Sequence, residues 1–321
     1  MKLGVLTVVL SQMEMGKAMK YLADSGVQAV EIGTGGFPGN AHCKPEILLN
    51  DDRKLEEFKQ AVYGNGLEIS ALSCHGNPVH PNKEIAKKFH DEFINTILLA
   101  EKLGIDRIVG FSGCPGDCPE SKHPNWVTCP WPEDFLEILE YQWNEVLIPY
   151  WKETAEFAKQ HGIKKICFEM HPGFCVYNPE TLLKLRNAVG DIIGANFDPS
   201  HLIWQGMDPV EAIRTLGNAI YFVHGKDVRI DQTNVAKNGV LDTKHYSDVL
   251  NRAWVFRTMG YGHDFKMWKD IVSMLKLVGY DDVISIEHED SLMSPTEGLQ
   301  KAIALLKEVL ISEQAGEMWW A

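Results

Sequence analysis

Ile193-Gly-Ala-Asn-Phe-Asp-Pro-Ser-His-Leu-Ile-Trp204 is the stretch from which the fold is read. Its small, apolar start has the character of a short buried strand, with Asn196 and Asp198 near its end. Pro199 stops the strand, because proline has no N–H to give to a sheet ladder. Asp198 and His201 therefore stand where a strand gives way to a loop. Three other strand-like runs end in the same kinds of residue: Lys165-Ile-Cys-Phe-Glu-Met-His171, Ile220-Tyr-Phe-Val-His-Gly-Lys-Asp227 and Val283-Ile-Ser-Ile-Glu-His-Glu-Asp290. Four strands ending in Glu169, Asp198, His224 and Glu287 point to a metal site at one end of a barrel. For any one of the four, a satisfied polar side chain near a loop is the plain alternative. The repetition over successive strands is what carries weight.

Outward from this core, a strand-helix alternation fills the chain. Toward the N-terminus we expect strands at Leu3–Leu10, Ala29–Ile32, Glu68–Cys74 and Arg107–Phe111. Helices are expected at Met15–Ser25, Asp52–Tyr63 and Lys83–Leu103, with Gly26, Gly64 and Gly104 as stops. A long loop, Ser112–Pro132, leads into a helix over Glu133–Gln160 that Pro149 is expected to break. Beyond it, helices at Pro179–Val189, Pro209–Leu216, Phe265–Val278 and Pro295–Ile311 alternate with the four strands already named. Glu169, Asp198 and His224 follow one another at intervals of one strand-helix unit, whereas the wider gap to Glu287 leaves room for an insertion around Arg229–Gly262. The strands are apolar enough to be buried on both faces. Eight such units, with no Gly-rich dinucleotide fingerprint, predict a single (β/α)8 barrel of the TIM type over residues 1–311, with long loops after the fourth and seventh strands and a tail over 312–321.

The totals agree with a globular enzyme: 321 residues, 45% hydrophobic and 23% charged. A net charge of −13 argues against a nucleic-acid partner, since phosphates are gripped by basic stripes. No apolar run reaches the roughly 18 residues of a membrane helix, and Leu3–Leu10 lacks the cleavage site of a signal peptide. Seven cysteines in a chain that needs no disulfides suggest a reducing, cytoplasmic setting.

In a barrel of this kind the catalytic groups lie at the C-terminal ends of the strands. Three carboxylates and one imidazole, with no thiolate, suit Mn²⁺ or Mg²⁺, and Zn²⁺ remains possible. The order Glu169, Asp198-Pro-Ser-His201, His224-Gly-Lys-Asp227 and Glu287 resembles the xylose isomerase-like superfamily of sugar phosphate isomerases and epimerases. Gly260-Tyr-Gly-His-Asp-Phe-Lys-Met-Trp268 is similar to the Gly-x-Gly-x-x-Asp-Phe turn of the same proteins. The resemblance covers nearly the entire chain. It implies one divalent ion, Mn²⁺ foremost, held by Glu169, Asp198, His224 and Glu287, with the two glutamates facing opposite sides of a keto-sugar. It also implies that His201 and Arg229 bind substrate. The implied reaction is isomerisation or epimerisation: a proton leaves the carbon beside the carbonyl, an ene-diolate is stabilised by the ion, and the proton returns to the opposite face or the next carbon.

A carboxylate bound to a cation is a weaker base, so His171, two residues beyond Glu169 on the same side of an extended segment, is a third candidate for proton transfer. His75 at the end of the third strand and Lys226 beside His224 are further candidates for substrate binding. The long loops resemble those of a larger branch that processes keto-glycosides, sometimes as lyase subunits with a partner subunit. A lyase acting on 3-keto-glycosides by β-elimination is therefore the second reading. A non-catalytic sugar-binding barrel and an endonuclease IV-like phosphodiesterase belong to other classes, and the acidic charge disfavours the latter.

Cys114, Cys118, Cys129 and His123 lack the paired spacing of a zinc cluster. Trp126 and Trp131, together with Trp204 and Trp254, suit stacking on a sugar or aromatic group, with loop packing as the alternative. Trp143 and Trp151 are expected in the core or an interface. Aromatic loops and the Trp319-Trp320 tail lead us to expect a homo-oligomer.

Overall fold

The computed structural model describes all 321 residues. Eight parallel strands close a barrel: β1 (Lys2–Leu6), β2 (Ala29–Gly36), β3 (Glu68–His75), β4 (Arg107–Gly110), β5 (Lys165–Glu169), β6 (Ile193–Phe197), β7 (Ile220–Gly225) and, after a two-stranded ribbon of β8 (Asp227–Ile230) and β9 (Trp254–Arg257), β10 (Val283–Ile286). Around the ring they run β1-β10-β7-β6-β5-β4-β3-β2. Residues 312–321 add no helix or strand.

The two-residue period of the strands stacks the barrel interior in layers. Ala29, Ala71, Val109, Cys167, Phe222 and Val283 form a small apolar cluster, fully buried. Arg107 lies over the Phe222 ring at 5.3 Å and pairs with Asp282, which closes the floor beneath them. Two residues farther along, five of the same strands present Glu31, Ser73, Glu169, His224 and Ser285, all of them buried. A polar layer thus rests on an apolar one, at the end where the loops begin. The main core, 64 buried residues, is the separate shell that includes the apolar faces of the helices.

Local signals place the surrounding helices. Asn82 caps the helix Lys83–Leu103 by accepting from the N–H groups of Glu84 and Ile85, and Gly104 ends it in the left-handed region at φ 70°. The helix expected to break at Pro149 instead continues. Asp134–Glu140 is α-helical, Tyr141–Leu147 is a π-helix, and Ile148–Gln160 is α-helical again. Pro149 sits in the first turn of the last segment, where its missing N–H costs little, and Ile148 N–H reaches back five residues to Trp143 O. The π segment turns Gln142 inward, where its Nε2 donates to the carbonyls of Pro115, Gly116 and Asn125 and ties down the loop after β4.

The insertion after β7 has its own core. Ile203, Trp204, Val228, Ala253, Trp254 and Phe256 cluster between the ribbon and the short helix Pro199–Trp204. Trp204 and Trp254 stack on each other at 4.4 Å, so their role is packing rather than sugar stacking. Trp126 lies edge-on to Tyr177 at 5.5 Å, Trp131 is exposed, and Trp143 and Trp151 are buried in the core.

Candidate metal centre

Glu169 is the last residue of β5, and Glu287 follows β10 directly. Asp198 follows β6 and caps the helix Pro199–Trp204: its Oδ1 accepts from Ser200 N–H at 2.8 Å, while Oδ2 faces Lys226 Nζ and His201 Nε2 at 3.1 and 3.3 Å. His224 points inward from β7. One ligand atom from each of the four lies within 4.8 Å of the others.

Two contacts orient the His224 ring. Its Nε2 faces both oxygens of Glu31, at 3.1 and 3.0 Å, and a carboxylate can only accept there. On the other side, the Asn196 amide nitrogen lies 3.1 Å from His224 Nδ1 and donates to Glu169 Oε2 at 3.2 Å. Nε2 therefore donates to Glu31, while Nδ1 is turned into the cluster, 3.2 Å from Glu169 Oε2 and 3.0 Å from Glu287 Oε2. A ring nitrogen facing two carboxylates calls for positive charge, supplied either by a proton on Nδ1 or by a cation among the three groups. Burial opposes charge on His224, but Glu31 and Glu287 outweigh it and push its pKa well up. That spot is built for positive charge, and a divalent ion fits the donor set: three carboxylates and a neutral imidazole oriented by a carboxylate behind it.

The remaining charges balance the cluster. Lys226 is buried with its Nζ 3.1 Å from Asp198, 2.9 Å from Glu287 and 3.2 Å from Glu289. Burial works against its charge, and these carboxylates overcome it, raising its pKa well above the usual lysine value. Burial likewise works against the Glu169 carboxylate, but hydrogen bonds from His201, His224 and His75 hold its pKa well down. His201 Nε2 is 3.0 Å from Glu169 and 3.3 Å from Asp198, and His75 Nε2 is 3.2 Å from Glu169. His171 packs 4.1 Å from the His201 ring. Burial, then the neighbouring His201, drive its pKa down to about 3, so it is a neutral ring.

His75, His171, Lys226, Glu169 and Glu287 all line one cavity of about 860 Å³. Arg229 does not: it is exposed on β8, paired with Val255 across the ribbon. Trp126, against Tyr177, is also outside the lining. Sequence reasoning missed Glu31, whose signal was an acid between Val30 and Ile32 in an otherwise apolar strand. It also missed Glu289 and Asp227. Asp227 Oδ2 accepts from the N–H groups of Gly260, Gly262 and His263 at 3.0, 3.2 and 3.0 Å. This explains the glycines of Gly260-Tyr-Gly262: Gly260 has φ +89°, and a Cβ on Gly262 would lie 2.3 Å from Val228 O.

The family model described as Xylose isomerase-like TIM barrel matches residues 19–309. The chain belongs to that family. Among curated relatives, this family member is 41% identical to the Bacillus subtilis (strain 168) protein YfiH over 97% of this chain and 99% of that one. It is 24% identical to an inosose dehydratase of Mesomycoplasma hyopneumoniae (strain J), covering 92% and 88% of the two chains. Among solved structures, a D-tagatose 3-epimerase-like protein superposes with a TM-score of 0.63 at 24% identity, over 96% and 98% of the chains. That last likeness is one of fold.

Proposed function

We propose that the chain is a divalent-metal-dependent isomerase or epimerase of a keto-sugar or related keto-polyol. The observation that carries this reading is the meeting of Glu169, Asp198, His224 and Glu287 within 4.8 Å, with His224 Nδ1 turned into the group. A divalent ion there, Mn²⁺ first and Mg²⁺ or Zn²⁺ as alternatives, supplies a Lewis acid for a carbonyl and its neighbouring hydroxyl. The protein side chains do the rest. Lys226 presents an ammonium to substrate oxygens, and His201, behind the cavity lining, holds Glu169 and Asp198 in place. Glu169 and Glu287 come from strands three places apart in the ring and so address a bound sugar from different sides. His171 Nδ1–H donates to Pro172 O at 2.6 Å, which leaves Nε2 as an acceptor. A proton on the carbon beside the carbonyl passes to His171 or one of the glutamates and returns to the other face or the adjacent carbon.

Similarity to a protein named inosose dehydratase favours a second reading, elimination. The same carbon–hydrogen bond breaks, its electrons form the double bond, and a β-oxygen substituent leaves with its bonding pair, protonated by an acid such as the Lys226 ammonium.

The test is proton exchange. Keto-sugars incubated with the Mn²⁺-loaded protein in D₂O are followed by NMR for deuterium beside the carbonyl, and for epimer, isomer or released β-substituent. Glu169→Gln or Glu287→Gln should lower exchange by about 10²-fold or more. His171→Asn that loses exchange with the ion still bound identifies the histidine as the base. Exchange unchanged in all three variants refutes the mechanism, and bound metal without turnover of any carbonyl sugar leaves a sugar-binding barrel.

A further inference from the structure

Glu169 takes part in a second meeting of donors besides the one already described. Its two oxygens face different ways. Oε2 lies 3.2 Å from His224 Nδ1, inside the first cluster, whereas Oε1 lies 3.0 Å from His201 Nε2. One donor atom each from Glu169, His171 and His201 falls within 4.8 Å of the others. Two local patterns bring them together. Alternation carries on past β5: Met170 is buried in the main core, while Glu169 and His171 on either side of it line the cavity. His201 stands three residues after Asp198 in the short helix that Asp198 caps, so those two side chains share a face.

Both histidines have a nitrogen to offer. Because His171 Nδ1 is held by Pro172 O, its lone pair is on Nε2. His201 is 1% exposed, and its Nε2 lies 3.0 Å from Glu169 Oε1 and 3.3 Å from Asp198 Oδ2. Neither contact has the straight N–H···O line of a well-formed hydrogen bond. The spacings match two ligands on one ion instead: donors about 2.0–2.1 Å from the same zinc stand roughly 2.9–3.4 Å apart. The His171 and His201 rings are 4.1 Å apart, so both imidazoles reach the same spot. Charge also leaves room. Glu31, Glu169, Asp198 and Glu287 face a single ammonium, Lys226, and one divalent ion leaves that group still negative.

We infer that Glu169, His171 and His201 form a second, weaker cation site, selective for Zn²⁺ and joined to the first through Glu169. Two imidazoles and one carboxylate, with a further position open to the cavity, are a zinc donor set, and nitrogen donors favour Zn²⁺ over Mn²⁺. The site is the weaker one because its only carboxylate is shared. The first ion therefore stays with the purified protein, and the second site fills on added Zn²⁺. The inference rests on the proposed reading only through Glu169, and it bears on that reading because His171 cannot be ligand and base at once.

Zinc itself is the probe. Equilibrium dialysis of the full chain against increasing Zn²⁺, with total metal counted, should reach two ions per chain, the second bound more weakly than the first. His171→Ala should weaken the second by about 10²-fold or more and leave the first in place, since deleting a ligand costs more than the 10- to 100-fold of deleting a group that supports one. His201→Ala should lose the second ion as well, and circular dichroism checks that both variants fold. Two ions bridged by one carboxylate lie about 3.5–4 Å apart and couple magnetically. With Co²⁺ in place of Zn²⁺, the second equivalent should therefore diminish the electron paramagnetic resonance signal of the first. One ion per chain in the wild-type protein at saturating Zn²⁺ overturns the inference and needs no variant. A second ion that His171→Ala binds as tightly as the wild type, or that leaves the Co²⁺ signal unchanged, belongs elsewhere on the chain and overturns it too. Deuterium exchange with only one ion bound would leave the proposed reaction standing without this site, whereas two ions without exchange would leave the site without the reaction.

Discussion

Replacing Glu31 by Gln tests the electrostatic logic of the centre at a residue that touches no ion. The change is nearly isosteric and removes one charge. In the native protein Glu31 accepts from Ser73 Oγ and, at 2.7 Å, from Ser285 Oγ, and both its oxygens face His224 Nε2. A glutamine keeps one acceptor, and the two serine hydroxyls can rotate to meet its NH₂, so the packing survives. What is lost is a charge-assisted bond, about 1.5–3 kcal/mol against roughly 0.5–1.5 for a neutral one. With it goes the bias toward the Nε2–H tautomer, so that a proton more readily occupies Nδ1, where the ion would bind. Both effects fall on the holo state. Carboxylates that accept a hydrogen bond from a metal-binding histidine set metal affinity by about 10- to 100-fold, which corresponds to about 1.4–2.7 kcal/mol, in line with the hydrogen-bond figure. Mn²⁺ affinity should therefore fall by about that factor in Glu31→Gln, measured by competition with a fluorescent chelator, with circular dichroism unchanged. Asp198→Ala serves as the reference that removes a ligand outright. Native affinity in Glu31→Gln, alongside its loss in Asp198→Ala, would refute the reasoning.

Three further outcomes follow from the same geometry. Metal analysis should find about one divalent ion per chain, and a chelator should remove activity while far-ultraviolet dichroism persists, because the 64-residue core lies in the helical shell; unfolding on chelation would contradict this. Asp227→Asn should destabilise the chain by about 1–3 kcal/mol in urea, since a buried acceptor of three backbone N–H groups loses its charge; His263, whose pKa the Asp227 hydrogen bond raises, should titrate lower in that variant by NMR. The sign is that of a raised histidine: the Asp227–His263 contribution is fully present below the unfolded value of about 6.5 and is lost as pH rises through the folded one. Light scattering should give a particle larger than one chain, with Trp319 and Trp320, 87% and 70% exposed, as the first residues to substitute; a monomer at micromolar concentration defeats that expectation.

What could be read without coordinates divides along a physical line. Glu169, Asp198, His224 and Glu287 each announce themselves locally, as a polar residue closing an apolar run, and the repeat of that pattern carries both the barrel and the candidate centre. Glu31 has no such local mark. Its partner His224 is 193 residues away, and the two meet only because the closed ring brings β2 and β7 face to face across the interior. Arg229 failed for the opposite reason. The resemblance assigned it to the substrate, but the insertion folds as an antiparallel ribbon on which Arg229 is exposed and outside the cavity lining while Val228 is buried.

The insertion also shows why aromatic residues misled. A segment of this length, attached at two points to a barrel rim, has no access to the main core and must build one. Trp204, Trp254 and Phe256 are that core, together with Val228 and Ile203. Residues spent this way are withdrawn from ligand binding, so the useful distinction among aromatics is between those covered by protein and those left open. Phe37 and Tyr246 are open and Trp204 and Trp254 are closed, a difference that composition and spacing do not encode. The packing of the ribbon also reaches the centre. Trp204 ends the short helix that Asp198 caps, and Asp227 at the ribbon's base follows Lys226, which bridges Asp198, Glu287 and Glu289. Packing in the insertion therefore bears directly on one candidate ligand and on the cation beside it. A substitution such as Trp254→Ala, remote from the cluster, should weaken Mn²⁺ binding through the displacement of Asp198 and Lys226, and the same chelator competition on that variant decides it: unchanged affinity in a folded protein would mean that the ribbon is only a wall.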